Sequence, residues 1–233
     1  MPPLKIIYED NQVIVCEKPS GLLSQPDDSE GENLYSIIFS YLSEKETEPY
    51  VGVIHRLDRG VGGIMVYAKN RNAAAELSSQ IAGRIYFIKQ YIAEVHGKTP
   101  EEGGEMKDLL FYDRFLGKSF VVDKPRRGAK EASLYYKTVA YSEENDISLV
   151  KISLNTGRTH QIRVQFASRG FPLAGDKKYG AKDMFSSIGL WSYSVGFLNP
   201  GSKKSETFYS LPDTSAEPWQ IFKDNIDYIG KTV

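Results

Sequence analysis

The sequence predicts an α+β fold with a mixed, mostly antiparallel central sheet and flanking helices. Short β-rich segments bounded by turn residues recur along the 233 residues, and only a few segments have helical spacing. Strands interrupted by few helices are typical of antiparallel α+β domains, whereas regular strand–helix alternation would indicate a parallel sheet. No linker, internal repeat or low-complexity tract divides the chain, so we expect one domain over residues 1–233.

The individual elements follow from apolar spacing and from the turn residues between them. In one predicted helix Ala73 and Leu77 lie four positions apart, and Gly83 is expected to end it. Strands are predicted where β-branched and aromatic residues cluster between turn residues. In chain order we predict two strands within 5–17, a helix at 33–43, a buried strand at 64–68, a helix at 70–82, a strand at 86–95, strands within 132–154, a helix at 159–169 and strands within 188–209.

Two regions carry more specific expectations. The polar segment 98–131 is rich in Gly, Pro and charge, which predicts an exposed insertion of short strands and loops. In the helix that follows, Thr159 is expected at the N-cap, with Ile162 and Phe166 facing inward and Gly170 at the end.

Composition and charge exclude several classes of protein. A single Cys16 excludes an internal disulfide and a cysteine metal cluster, and the three histidines lack metal-ligand spacing, so we expect no metal site. No segment has the apolar core of a signal peptide or approaches the ~18 apolar residues of a membrane span. We therefore expect a soluble, cytoplasmic protein without membrane contact.

The net charge is −1, but the charges are clustered. Acidic residues gather at 27–32, and basic residues gather at 124–130 and at 203–204. Basic clusters that share a face attract phosphates even when the net charge is near zero. Solvated loop charge is the alternative, and we prefer it for Lys203 and Lys204.

Two motifs concentrate the chemistry. The first, His55-Arg56-Leu57-Asp58-Arg59-Gly60, places an acid between two arginines in a glycine-rich turn. Guanidinium groups favour an ionised carboxylate, so Asp58 is expected to be charged at neutral pH. By itself this motif is more typical of a structural ion pair than of catalysis. The second motif is Thr156-Gly157-Arg158-Thr159-His160-Gln161-Ile162-Arg163, which again combines arginines, a histidine and polar donors.

Together with further segments in a fixed order, these motifs make the chain resemble the RluA family of RNA pseudouridine synthases over nearly its whole length. The other segments are Ile7-Tyr8-Glu9-Asp10-Asn11, Cys16-Glu17-Lys18-Pro19-Ser20-Gly21-Leu22-Leu23-Ser24, Lys89-Gln90-Tyr91-Ile92-Ala93 and Gly175-Asp176-Lys177-Lys178-Tyr179-Gly180. The resemblance implies a central RNA-binding cleft, structured ribosomal or transfer RNA as substrate, no cofactor and a monomer. Because the catalytic pattern starts by residue 5, it also implies no separate N-terminal RNA-binding module.

The resemblance further implies a catalytic set of three residues. Asp58 is the catalytic acid, Arg163 pairs with it, and Tyr91 stacks on the target base and accepts or relays a proton. The implied substrate-binding residues are Arg56, His55, Arg158, His160, Gln161 and Leu190.

Each of these roles has a structural alternative. Arg56 is implied to fill the gap left by a flipped uridine, but it could be a surface cation. Tyr91 and Leu190 could serve packing alone. For His160 we prefer a hydrogen bond within a turn.

The chain departs from the family pattern at two places. Arg59 and Gly60 stand where a Thr-Ser pair is common after the catalytic acid, and Trp191 stands where relatives often have a histidine. These departures put substrate choice in doubt more than the reaction. The alternative function is a non-catalytic RNA-binding assembly factor that retains the fold. A hydrolase using Asp58 is a weaker candidate, since the motif offers arginines and no second acid.

Overall fold

The computed structural model describes residues 3–28 and 31–232. Glu30 of the acidic stretch 27–32 therefore lies outside the described residues. The chain forms two compact units. The first comprises Met1–Lys89 and Ser192–Pro212, and the second comprises Gln90–Trp191 and Asp213–Val233.

The described residues form eleven strands and four α-helices, and the α+β prediction is confirmed. The strands are β1 (Lys5–Glu9), β2 (Val13–Lys18), β3 (Gly52–Val53), β4 (Gly62–Ala68), β5 (Ile88–His96), β6 (Gly104–Asp113), β7 (Lys118–Val122), β8 (Lys130–Ser142), β9 (Ile147–Leu154), β10 (Leu190–Leu198) and β11 (Ser205–Tyr209). The helices are α1 (Leu34–Ser43), α2 (Arg71–Gly83), α3 (Gln161–Ala167) and α4 (Lys223–Lys231), with short 3-10 helices at Lys177–Tyr179 and Trp219–Phe222.

In the first unit the strand order is β1-β2-β4-β10, with β3 beside β4 and β11 beside β10. The central strand β4 is buried along its whole length, which explains its continuous apolar sequence. Ala73 and Leu77 of α2 pack on this sheet against Val66 and Val195. The segment 54–61, which contains the first motif, therefore enters a strand that is fixed on both sides.

Gly63 is required for packing within this unit. Its backbone has φ +123°, and a Cβ there would collide with the backbone of Ser192 in β10. Glycines in a turn can let another molecule come close to the backbone. At Gly63 the close approach is made by the protein's own neighbouring strand.

In the second unit the strand order is β5-β9-β8-β6-β7, and these neighbours pair antiparallel. The register places Tyr91 opposite Ile152 and Ile152 opposite Tyr136, so the three side chains share one face. The Tyr136 ring contacts Phe166 of α3 at 5.2 Å. Tyr91 therefore lies on the face of the sheet that α3 covers.

The expectation of an exposed insertion at 98–131 is wrong for β6. That strand is ten residues long and pairs with both β7 and β8, and its Met106 and Leu110 are buried. Leu110 packs with Val164 and Tyr179. The polar composition reflects the other face of this hairpin and the loops around it, which are exposed.

The predicted helices are confirmed, but two of their ends were misassigned. Helix α2 includes Gly83, and the residue that adopts the left-handed conformation at its end is Arg84, with φ 54°. Helix α3 starts two residues after Thr159, which therefore is not its N-cap. His160 occupies that position with φ 54° and makes no side-chain cap bond. The predicted inward positions of Ile162 and Phe166 are confirmed, since both are buried.

The remaining boundaries differ slightly from the prediction. Strand β5 begins at Ile88 rather than at residue 86, and α4 was not predicted. Within the described ranges, none of the helices combines the length and the apolar character that a membrane crossing requires.

Candidate active site

The first motif forms the loop between β3 and β4, and its side chains alternate between inside and outside. His55 and Leu57 are buried, Arg56 and Arg59 are exposed, and Asp58 lies between these extremes. Ser24 fixes the inner side, since its Oγ donates to the Leu57 carbonyl at 2.8 Å and accepts from the Leu57 amide at 3.0 Å. The loop thus presents Arg56 to solvent, and its predicted gap-filling role stays a prediction.

Lys18 holds the far side of this loop. Its fully buried ammonium donates to the carbonyls of Pro19 at 3.0 Å, Leu22 at 2.6 Å and Arg59 at 3.3 Å. Burial lowers the pKa of Lys18 to about 7, and the charge of Asp58 opposes that shift. The lysine therefore anchors the residue next to Asp58 and places a positive charge within electrostatic range of the carboxylate.

We expect Lys18→Met to destabilise the protein, and more so as the pH rises. The variant leaves three carbonyls without their donor, at ~1–3 kcal/mol for each buried group that water does not reach. The folded pKa is about 7 against 10.5 for the free side chain, so the unfolded state binds more protons between these values. Wild-type stability therefore rises across that window relative to the variant, by at most ~1.4 kcal/mol per pH unit.

Urea unfolding at pH 6, 8 and 9.5 measures this trend. The matched control is Lys69→Met, in the same unit, because Lys69 is paired with Glu9 and Glu46 and its pKa is raised. The destabilisation by the control substitution should be constant over the same range. An equally constant difference for Lys18→Met would contradict the prediction.

His55 is buried under the same loop. Its Nε2 accepts a hydrogen bond from the Val66 amide at 3.2 Å, and its ring meets the edge of Phe87 at 5.6 Å. Burial lowers the pKa of His55 to about 3, helped by the charge of Lys89. The imidazole is thus neutral at physiological pH and ties the Asp58 loop to β4. Its predicted contact with substrate stays a prediction.

In the second unit, Arg163 of α3 makes a two-pronged ion pair with Asp176. Nε donates to Oδ2 at 2.7 Å and Nη2 donates to Oδ1 at 2.8 Å. Both side chains are buried, with 7% and 0% of their surface exposed. This pair fixes the guanidinium plane and leaves Nη1 outside the fork. The predicted pairing of Arg163 with Asp58 stays a prediction.

Tyr179 supports the same arginine from another side. The Arg163 guanidinium lies 5.1 Å from the Tyr179 ring centre, and the Tyr179 hydroxyl accepts from the Ser119 amide at 2.8 Å. The same hydroxyl lies 2.9 Å from Nδ1 of His160. Burial raises the pKa of Tyr179 to about 12, so the hydroxyl keeps its proton. His160 therefore contacts the side chain of Tyr179, and its predicted hydrogen bond within the turn stays a prediction.

The loop before α3 is ordered by the side chain of Gln161. Its Oε1 accepts from the Thr156 hydroxyl at 2.7 Å and from the Arg158 amide at 3.0 Å. Arg158 in turn donates through Nε to the Glu131 carbonyl at 2.9 Å. These contacts give Gln161 a structural role in the loop. Substrate binding by Gln161 or Arg158 remains a prediction.

The other predicted site residues of this unit are buried. Tyr91 is 5% exposed on the face that α3 covers, and Leu190 and Trp191 are 4% and 8% exposed at the start of β10. The second unit therefore brings Arg163 and His160 together and places Tyr91 on the same face. Among the described residues, no group of three His, Cys, Asp or Glu side chains could hold a metal ion.

Two residues of these clusters received no specific role from the sequence: Asp176 and Tyr179. Asp176 and Tyr179 belong to the segment Gly175–Gly180, which carried part of the family resemblance. The signal was thus present, but a short polar segment does not reveal which arginine it contacts. Lys18 stands beside Pro19 at the end of β2, where a lysine is normally expected in solvent.

A family model and curated relatives both identify the family to which this chain is similar. Residues 12–168 match the family described as RNA pseudouridylate synthase. An uncharacterized RNA pseudouridine synthase of Aquifex aeolicus is 35% identical over 85% of this chain and 66% of its own length. The ribosomal large subunit pseudouridine synthase D of Borreliella burgdorferi is 35% identical over 78% of this chain and 56% of its own length. The chain thus spans between half and two thirds of these two relatives.

The fold agrees with that assignment. The structure of human RNA pseudouridylate synthase domain containing 4 superposes with a TM-score of 0.72 at 20% identity, covering 96% of this chain and 93% of that one. An uncharacterized RNA pseudouridine synthase of Bacillus subtilis, YlyB, is 31% identical over 95% of this chain and 74% of its own length. The chain therefore belongs to the RNA pseudouridylate synthase family and, within it, to the RluA family that its motifs predicted.

Proposed function

We propose that this protein is an RNA pseudouridine synthase that isomerises uridine in structured RNA, with Asp58 as its catalytic residue. The observation that carries the proposal is the Asp58 loop. Its backbone is anchored by Ser24 and Lys18, while the neighbouring Arg56 is left exposed. A carboxylate on a fixed loop beside an exposed arginine suits a reaction on a base that has left the RNA stack.

The reaction needs a nucleophile or base, and a means to hold the detached uracil. The bond between uracil nitrogen and ribose breaks, the base turns, and a carbon of the ring bonds to the same ribose carbon. A proton leaves that ring carbon and the released nitrogen gains one, so atoms and electrons balance without an external oxidant. Asp58 supplies the negative charge for the first step.

The second unit supplies the groups that would hold the base. Tyr91 offers a ring for stacking and a hydroxyl for proton relay. Arg163, fixed by Asp176, offers a guanidinium whose plane is already oriented. The proposal includes action as a monomer in the cytoplasm on ribosomal or transfer RNA.

The test is direct. Purified protein is incubated with ribosomal and transfer RNA from cells that lack it, and pseudouridine is mapped by its stable carbodiimide adducts. The proposal is supported if the protein forms pseudouridine in this RNA at sites that are modified in cells containing the protein and unmodified in cells lacking it. Binding and protection of RNA without any new pseudouridine would instead favour the non-catalytic assembly factor.

Tyr91→Phe separates the two roles proposed for this residue. The ring stays, so we expect RNA affinity within about twofold of wild type, because stacking depends on the aromatic face. The hydroxyl is lost, and removal of a positioned proton-transfer group lowers rates by roughly 10² or more. Single-turnover rates with excess enzyme measure the effect. Tyr193→Phe, in the other unit and also nearly fully buried, controls for the loss of a buried hydroxyl. A wild-type rate for Tyr91→Phe would restrict Tyr91 to stacking.

A further inference from the structure

The β6–β7 hairpin and the loop after it expose large apolar and basic side chains in the second unit. Phe115 at the hairpin tip is 98% exposed, Leu116 is 58% exposed and Phe120 is 36% exposed. Single exposed apolar side chains are common, but a cluster of them rimmed by polar residues is typical of an interaction site. We call these residues and the exposed basic residues around them the hairpin surface; it consists of Arg114, Phe115, Leu116, Phe120, Lys124, Arg126 and Arg127.

One face of the hairpin packs inside the second unit, and the other face points away from that core. Leu110 and Ser119 face inward, where they meet the α3 helix and Tyr179. Phe111 and Phe120 lie directly opposite each other across the strand pair, on the other face. The protein therefore does not need Phe120 or the tip residues for the core that Leu110 builds.

An arginine covers one of these outward rings. The guanidinium of Arg126 lies 3.8 Å from the centre of the Phe111 ring. Stacking on an aromatic face orients the guanidinium plane and leaves its edge available for hydrogen bonds. The loop that follows β7 is thereby held against the outer face of the hairpin, where Phe111 lies opposite the exposed Phe120.

The hairpin tip is fixed rather than loosely extended. The Asp113 carboxylate accepts from the amides of Phe115 at 2.9 Å and Leu116 at 3.0 Å. The Asp113 carboxylate thus stabilises the turn through hydrogen bonds to its backbone. The turn presents Phe115 to solvent in a defined position, which lowers the entropy that a stacking partner must overcome.

The charge of this segment differs from that of the chain. Residues 111–130 contain six Lys and Arg but only two Asp and no Glu, whereas the whole chain has a net charge of −1. Basic groups interleaved with exposed aromatic rings match a partner that carries both phosphates and flat bases. An apolar protein partner would match the rings but leave the arginines and Lys124 without counter-charges.

We propose that the hairpin surface binds unpaired nucleotides of the substrate RNA outside the reacting uridine. One base stacks on Phe115, and the neighbouring phosphates contact Arg126 and Arg127. The inference rests on the proposed function for the identity of the polymer. It adds a second contact region that selects RNA with an unpaired stretch near the target.

Two variants test the surface with oligouridine and with an RNA duplex of equal length as probes. Phe115→Ala should weaken oligouridine binding roughly tenfold, the usual effect of one stacked base. The double variant Arg126→Ala, Arg127→Ala should lower the log–log salt slope by about 1.4, because each single-strand phosphate that an arginine neutralises adds ~0.7 to that slope. Duplex binding should respond less to Phe115→Ala. The control is Tyr228→Ala, because Tyr228 is 68% exposed on α4 of the same unit.

The outcomes separate this inference from the proposed function. Suppose that wild type forms pseudouridine and that Phe115→Ala binds oligouridine as tightly as Tyr228→Ala does. This result would overturn RNA binding by the hairpin surface and leave the proposed function intact. Wild type that binds oligouridine through Phe115 but forms no pseudouridine would overturn the proposed function alone. A wild type that elutes as a dimer, with Phe115→Ala eluting as a monomer, would make this surface a self-interface and overturn RNA binding there. Unchanged melting temperatures establish that the variants are folded.

Discussion

Asp58→Asn is expected to abolish pseudouridine formation while the protein stays folded and binds RNA. The amide keeps the size of the side chain but removes the negative charge, so it serves neither as nucleophile nor as proton acceptor. The loop itself is held through backbone atoms, by Ser24 at Leu57 and by Lys18 at Arg59, and these bonds do not use the Asp58 carboxylate. The measurements are a melting temperature, an RNA dissociation constant and a single-turnover assay with excess enzyme.

The alternative for Asp58 is a structural ion pair, and the same measurements identify it. Breaking a buried pair by removing one charge costs ~3–5 kcal/mol. A structural Asp58 would therefore lower the melting temperature strongly and leave turnover of the folded fraction close to normal. Residual activity within about tenfold of wild type would contradict the catalytic assignment. The control is Asp28→Asn, an exposed aspartate of the same unit.

Helix prediction succeeded where local chemistry decided the structure. Asn33 and Asn70 accept from the amides of Ser36 and Ala73, so each helix start was defined by a side chain within reach of its own first turn. At α3 the local pattern was misleading. The long side chain of Gln161 folds back to order the preceding loop, and the Thr159 carbonyl accepts from Ser119, a distant residue of β7.

The middle segment was misjudged for a related reason. A hairpin with one buried face and one exposed face has the average polarity of a loop, although Leu110 is only 4% exposed. Only alternation along 104–113 would have indicated the strand, and the charged residues interrupted that pattern. The average composition of a window therefore does not reveal a strand that has one buried and one exposed face.

The candidate site shows the same division between local and distant information. The motif around Asp58 could be located because its residues are contiguous. Asp176 could not be assigned to Arg163 because the two residues lie on different elements, and proximity in space depends on how α3 and the 3-10 helix at Lys177–Tyr179 pack. The contacts of Lys18 could not be predicted because the burial of its ammonium depends on three carbonyls that no sequence pattern specifies.

Arg163→Lys is expected to lower turnover at least tenfold with a much smaller change in RNA affinity. An ammonium cannot reproduce the two parallel bonds from Nε and Nη2 to Asp176. The positive charge at position 163 therefore loses its fixed orientation. Asp176→Asn should produce a similar loss, since it removes the carboxylate that orients the guanidinium while leaving Arg163 in place. If the two residues act as a unit, the double variant should be little worse than either single variant.

The matched control is Arg169→Lys, because Arg169 follows the same helix and forks onto Asp108 at 2.9 and 3.1 Å, outside the predicted site. This substitution changes a more exposed fork of the same kind, so it measures the effect of losing such a contact away from the predicted site. Turnover should fall for Arg163→Lys and Asp176→Asn but stay near wild type for Arg169→Lys when all are assayed as folded protein. Wild-type turnover in Arg163→Lys would show that the fork is structural, and additive losses in the double variant would show that Asp176 acts independently of Arg163.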